Sequence, residues 1–119
     1  MMPEPRFIRT NGIDMAVYEK GEGPAVVFCH GWPELAFSWR SQIDAVAAAG
    51  FHAIAPDQRG FGLTEAPEDS MQYDLGIFCD DLLGIMDAKG IEKAYSLVTT
   101  GVAQWYGQCL AFIRIAALV

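Results

Sequence analysis

The chain has 119 residues, 52% hydrophobic and 19% charged, a composition that suits one small globular domain and excludes wholesale disorder. Its net charge is -7 and its pI about 4.6, with no basic stripe, which makes nucleic acid and anionic membrane poor partners. The three cysteines, Cys29, Cys79 and Cys109, form no CxxC pair and "MMPEPRFIRT" has no apolar signal core, so reduced thiols, a cytoplasmic location and no metal site are expected.

In chain order, "RFIRT" (6–10) reads as a strand and "NG" (11–12) as a hairpin turn. "IDMAVYEK" (13–20) is the returning strand, and "GEGP" turns the chain again. "AVVFC" (25–29) is a continuous apolar run, the pattern of a strand buried on both faces. After "HGWPE", the stretch "AFSWRSQIDAVAAAG" predicts an amphipathic helix with Trp39, Ile43, Val46 and Ala47 on one stripe, Ser38 as its cap and Gly50 beyond its end. "FHAIAP" is a short buried strand and "DQRGFGLTEAPEDS" a loop. A second helix follows, with Leu75, Phe78, Leu82, Ile85 and Met86 on one face and Gly90 ending it. "KAYSLV" is the next strand, and the helical pattern after Gly101 is weak. "CLAFIRIAALV" is apolar but interrupted by Arg114 and too short to span a bilayer. Left unpaired, it is an aggregation hazard.

Two antiparallel strands followed by alternating strands and helices give an α/β sheet that turns parallel. Loops beginning at His30, Asp57 and Thr99 fall at the carboxyl ends of its strands, where such sheets bind ligands. In the first loop, Gly31 permits a tight turn, and Trp32–Pro33 is a candidate cis peptide that aims the Trp32 N–H into a cleft as an oxyanion donor; an ordinary strand-to-helix loop fits equally well. In "PDQRGFG" (56–62), Asp57 and Arg59 read as a structural ion pair, worth about 0–1 kcal/mol if partly exposed. His30 makes loop hydrogen bonds in this reading and His52 sits low in the sheet, so neither is placed as a general base. Asp80 and Asp81 read as a solvated helix face.

"CHGWPE", "SWRSQI", "PDQRGFG" and "YDLGIFCDDLLGIMDAKGIEKA", in that order and spacing, resemble the α/β-hydrolase superfamily, and most closely its soluble epoxide hydrolases. Haloalkane and fluoroacetate dehalogenases share the HGxP element and are the nearest alternative. The resemblance implies the first part of an α/β-hydrolase sheet over residues 1–94, without a lid domain. It also implies a covalent mechanism on a small-molecule substrate, with no metal or cofactor: an Asp carboxylate opens the epoxide to an ester, and a His with an acidic partner activates water to release the diol. Trp32 would be the first oxyanion donor, with His30, Gly31, Pro33 and Glu34 shaping its loop.

The resemblance calls for a nucleophile elbow of pattern G-H-D-W-G-G, and the chain has V-T-T-G-V-A at residues 98–103, with Thr100 at the Asp position. Lid, acid and catalytic His would lie beyond residue 119. Allowed codons for V-T-T-G-V-A, read one base earlier, spell Gly-His-Asp-Trp-Gly-Gly. Downstream, Trp105–Tyr106 becomes Val, Tyr106–Gly107 allows Trp, and residues 112–116 allow His-Pro-Asp-Arg. Residues 95–119 therefore read as an out-of-frame tail. Two functions follow: a hydrolase by descent that is inactive in this form, or a truncated, non-enzymatic fragment that self-associates through an open sheet edge at the strand of residues 95–98.

Overall fold

A computed structural model describes residues 2–30, 35–98 and 115–118. Strands β1 (Arg6–Thr10) and β2 (Ile13–Lys20) pair antiparallel, from Thr10 opposite Ile13 to Arg6 opposite Val17. Asn11 (φ 49°) and Gly12 (φ 82°) make the turn between them in the left-handed region, as a two-residue hairpin with right-twisted strands requires. The remaining elements are β3 (Ala25–Cys29), α1 (Arg40–Ala48), β4 (His52–Pro56), α2 (Leu75–Ala88), β5 (Ala94–Val98) and β6 (Ile115–Leu118). Single 3-10 turns at Ala36–Trp39 and Ser70–Gln72 precede the two helices.

The six strands form one sheet in the order β1-β2-β4-β3-β5-β6. β2 meets β4 antiparallel, and β4, β3, β5 and β6 run parallel. The expected α/β sheet with an antiparallel start is therefore present. From β3 the chain crosses through α1 to β4 on one side, then through α2 back past β3 to β5 on the other. The connections diverge at β3, the kind of switch point at which such sheets bind ligands, outside the carboxyl ends of their strands.

Each helix covers one face of the sheet. Val26 and Phe28 point toward Ile43, Ala53 and Ala55, with Trp39 packed against them. Ala25, Val27 and Cys29 point the other way, toward Ile54, Leu82, Ile85 and Met86. This is why β3 reads as an unbroken apolar run: every residue of it has a hydrophobic layer to enter. Burying each of the larger side chains stabilises the fold by about 1.5–3 kcal/mol.

Four expectations need correction. Ser38 does not cap α1; it lies within the preceding 3-10 turn, where its N–H donates to Leu35 O at 2.9 Å, and the N-cap Trp39 has no side-chain bond to offer. α2 has the side-chain cap instead, with the Asp74 carboxylate accepting from Ile77 N at 2.9 Å. Gly50 (φ 94°) and Gly90 (φ 68°) do end the helices as read. β5 is not a sheet edge, because Ile115–Leu118 pairs beside it, from Ala94 opposite Ile115 to Leu97 opposite Leu118. An unpaired row of backbone N–H and C=O groups next to an apolar run of the same chain is satisfied by that run.

Asp81 is the third correction: only Asp80 of the acidic pair faces solvent, and Asp81 is 1% exposed. The fourth concerns the thiols: Cys29 is free and buried, but Cys79 is disulfide-bonded, with its partner outside the described residues. Spacing in sequence does not reveal which cysteines the fold brings together. Among the described residues no helix is long and apolar enough to cross a membrane.

Candidate functional site

The loops leaving β3 and β4 meet at the carboxyl end of the sheet. Gly31, Trp32, Pro33 and Glu34, and with them the Trp32–Pro33 bond, lie outside the described residues, as do Thr99, Thr100 and the rest of the elbow position. Both flanks of residues 31–34, and the whole loop after β4, are described.

His30, at the end of β3, is 2% exposed. Its Nε2 accepts a hydrogen bond from the backbone N–H of Gln58 at 3.0 Å. A backbone N–H can only donate, so Nε2 carries no proton and the imidazole is the Nδ1–H tautomer. The Gln58 side-chain amide donates in turn to His30 O. The Phe61 ring meets the imidazole edge-on at 5.3 Å. His30 Nε2 is thus committed to holding the loop.

Asp57, the residue before Gln58, reaches the other flank. Its Oδ1 accepts from Ala36 N at 2.9 Å, and its Oδ2 accepts from Leu63 N at 3.0 Å. Gly62 (φ 53°) lies so close to this carboxylate that a Cβ there would overlap it. Thr64 fastens the loop from beneath: its hydroxyl donates to Asp57 O at 2.5 Å and accepts from Ala16 N at 2.9 Å, on β2. Burial, with the nearby Asp57 and Glu4 carboxylates adding to it, raises the pKa of Tyr18 on the same strand.

Arg59 does not pair with Asp57. Its Nε donates to Asp81 Oδ2 at 2.9 Å and its Nη2 to Asp81 Oδ1 at 2.8 Å, with further bonds to Gln72 Oε1 and Asn11 O. Asn11 closes the network by donating its side-chain amide to Asp81 Oδ1 at 2.8 Å. Two neighbouring opposite charges in sequence suggest a local pair, but both Asp57 oxygens already serve backbone N–H groups. The hydrogen bonds that Arg59 donates to Asp81 raise the Arg59 pKa despite the opposing effect of burial.

The second histidine is at the other end of the sheet. His52 Nε2 lies 2.8 Å from Glu19 Oε1, and Lys89 Nζ 2.5 Å from Glu19 Oε2. Burial pushes the Glu19 carboxyl up, but hydrogen bonds and charge from Lys89 and His52 outweigh it and leave the pKa lowered. This cluster joins β2, β4 and the end of α2, at the opposite end of β4 from the loop that begins at Asp57.

Sequence reasoning reaches His30, Asp57 and the glycines of this site but misses Gln58, Thr64 and Asp81. For Asp81 the signal is present: it falls three residues after Phe78 and four before Ile85, on the buried stripe of α2. A lone Gln or Thr in a loop carries no comparable pattern.

The profile of the family described as "alpha/beta hydrolase fold" matches residues 24–99, more than half of the chain. The chain belongs to the α/β-hydrolase family. Within that family its similarity falls in the epoxide hydrolase branch. Epoxide hydrolase A of Mycobacterium tuberculosis (strain ATCC 25618 / H37Rv) is 43% identical over 123 residues, an alignment covering 98% of this chain and 37% of the relative. The epoxide hydrolase of Caballeronia sordidicola is 49% identical over 87 residues, 73% of this chain and 26% of its own length. Among solved structures, Epoxide Hydrolase A from Mycobacterium thermoresistibile matches with TM-score 0.88 and 41% identity over 97% of this chain and 38% of that one. An epoxide hydrolase from Vigna radiata matches with TM-score 0.86 and 41% identity over 92% and 34%. The matched portion therefore spans between about a quarter and little more than a third of these relatives' length.

Proposed function

We propose that the chain is the first part of an epoxide hydrolase and that these 119 residues do not themselves turn over an epoxide. The observation that supports this most is 43% identity to an epoxide hydrolase across 98% of the chain, joined to two interlocked loops at the carboxyl ends of β3 and β4. In the whole protein an Asp carboxylate oxygen attacks an epoxide carbon, the C–O bond breaks, and the oxygen leaves as an alkoxide that takes up a proton. Water then hydrolyses the ester, and the backbone N–H of Trp32 stabilises the oxyanion of that step.

Inactivity rests on Thr100. A threonine hydroxyl needs an activating base to open an epoxide, and would then form an ether that water does not hydrolyse. We read residues 95–119 as translated out of frame, and the protein as a cytoplasmic one that uses neither metal nor cofactor. Two measurements test this. Sequencing the coding DNA across residues 90–119 should show codons that spell Gly-His-Asp-Trp-Gly-Gly one base earlier, in a frame that stays open. Incubation of the purified chain with terminal and aromatic epoxides should yield no diol above a protein-free control. Diol formation, or codons that spell something else, overturns the reading.

A further inference from the structure

We propose that the outer edge of β1 is an interface for a second copy of this chain, paired antiparallel in one register, with Ile8 opposite the partner's Ile8. β1 stands first in the sheet order, and β2 is its one strand neighbour among the described residues. A two-residue turn closes on a hydrogen-bonded pair, here Thr10 and Ile13, and along an antiparallel ladder bonded and non-bonded pairs alternate. Arg6, Ile8 and Thr10 therefore bond to β2, and Phe7 and Arg9 turn their N–H and C=O groups outward. The facing strand keeps the same alternation. Ala16, opposite Phe7, donates its N–H to Thr64 Oγ1 and accepts from Asp57 N, both at 2.9 Å, and Asp14, opposite Arg9, accepts from Glu65 N at 3.0 Å. Among the described residues, no hydrogen bond reaches the outward backbone groups of Phe7 and Arg9.

One register uses all of these groups. With Ile8 on the two-fold axis, Phe7 exchanges both bonds with the partner's Arg9, and Arg9 with the partner's Phe7. The same register suits the side chains. Phe7 is 59% exposed and lies on the face of the sheet that carries Tyr18, as does Arg9, whose side chain is 64% exposed. Each Arg9 guanidinium comes beside the partner's Phe7 ring, a favourable cation–aromatic pair made twice. On the other face Ile8 meets the partner's Ile8, and Arg6 meets the partner's Thr10. No arginine stands opposite an arginine, so the cations that guard an edge strand against most partners do not repel this one. A slip of one residue would set Arg6 against the partner's Arg9 and leave the outward groups out of step. The strand has 5 residues, far fewer than the roughly 20–30 a side of a standard interface, so the pairing is reversible and depends on concentration.

The test is sedimentation velocity of the full 119-residue chain over a wide range of concentration, with cysteine crosslinking to read the register. The unmodified chain is expected to pass from monomer to dimer. Phe7→Lys sets like charges opposite each other and should weaken the dimer tenfold or more. Phe7→Pro removes an outward donor and none of the bonds to β2, and should do the same. Phe37→Lys makes the first change at another exposed aromatic and should leave association as it is. Ile8→Cys should give a disulfide-linked dimer with diamide as oxidant, because a non-hydrogen-bonded pair on the axis lies within disulfide reach. Thr10→Cys, on the same face but off the axis, should not. A chain that stays monomeric throughout overturns the proposal. So does association that Phe7→Lys leaves intact, or that Phe37→Lys weakens as much, since either assigns the contact to another surface. So does an Ile8→Cys chain that crosslinks no more than Thr10→Cys, which needs only a small change at a half-buried side chain.

Discussion

Arg59 and Asp81 form a two-pronged ion pair whose side chains are each only 2% exposed, one from the loop after β4 and one from the middle of α2. Gln72 and Asn11 complete it, so the pair joins the site loop, the second helix and the first hairpin at one point. Breaking such a pair leaves an uncompensated charge in the interior.

Asp81→Ala and Arg59→Ala are each expected to destabilise the fold by about 3–5 kcal/mol, read as a lower urea midpoint. The double variant Arg59→Met/Asp81→Leu should lose less than either single one, because no orphan charge remains. Equal or greater loss in the double variant would mean that shape, and not charge, dominates here.

Gly84 in α2 faces Thr10 of β1 so closely that a Cβ would overlap the Thr10 hydroxyl. Helix propensity alone favours Ala over Gly by about 1 kcal/mol. The contact should reverse that sign, so that Gly84→Ala costs about 1–3 kcal/mol net. Adding Thr10→Ala should recover part of the loss. Thermal denaturation of the two single variants and the double variant checks this.

How much of this was legible depends on the range of the interaction. The Asn11–Gly12 turn, the doubly buried β3 and the closing glycines Gly50 and Gly90 follow from local chemistry, and sequence finds them. The partner of Arg59 lies 22 residues away, and the competing local choice, Asp57, is taken by Ala36 and Leu63 N–H groups that only the fold brings near. β6 is hidden for the same reason: four residues declare themselves a strand only beside β5. The site divides likewise. His30 and Asp57 stand in recognisable loops, whereas Gln58 matters through bonds made across 28 residues.

Glu19 gives the acid limb of stability. Its folded pKa lies below the ordinary 4.5, so the charged form favours the folded state. That contribution is fully present above the ordinary value and is lost as pH falls through the lowered one. Glu19→Gln should cost about 1.5–3 kcal/mol near neutral pH, the range for hydrogen bonds to a charged group. The difference from the unmodified chain should shrink as pH falls below the ordinary carboxylate range. Urea unfolding at a series of pH values reads it, and a difference independent of pH would assign the effect to packing.

Cys29 sits in the α2-side core one residue before His30, wholly buried, and burial pushes its thiol pKa up to about 12. The neighbouring Ser96 hydroxyl lowers it slightly but does not reach hydrogen-bond geometry, so it is too weak a partner to stabilise a thiolate. Only the thiolate is nucleophilic, and three pKa units mean roughly a thousandfold less of it than in a thiol of ordinary pKa at pH 8. Iodoacetamide should therefore leave Cys29 unmodified in the native chain and label it fully in urea, as peptide mass spectrometry reads site by site. Rapid native labelling of Cys29 would mean that the layer between α2 and the sheet opens, and would place the weakest seam of the fold there.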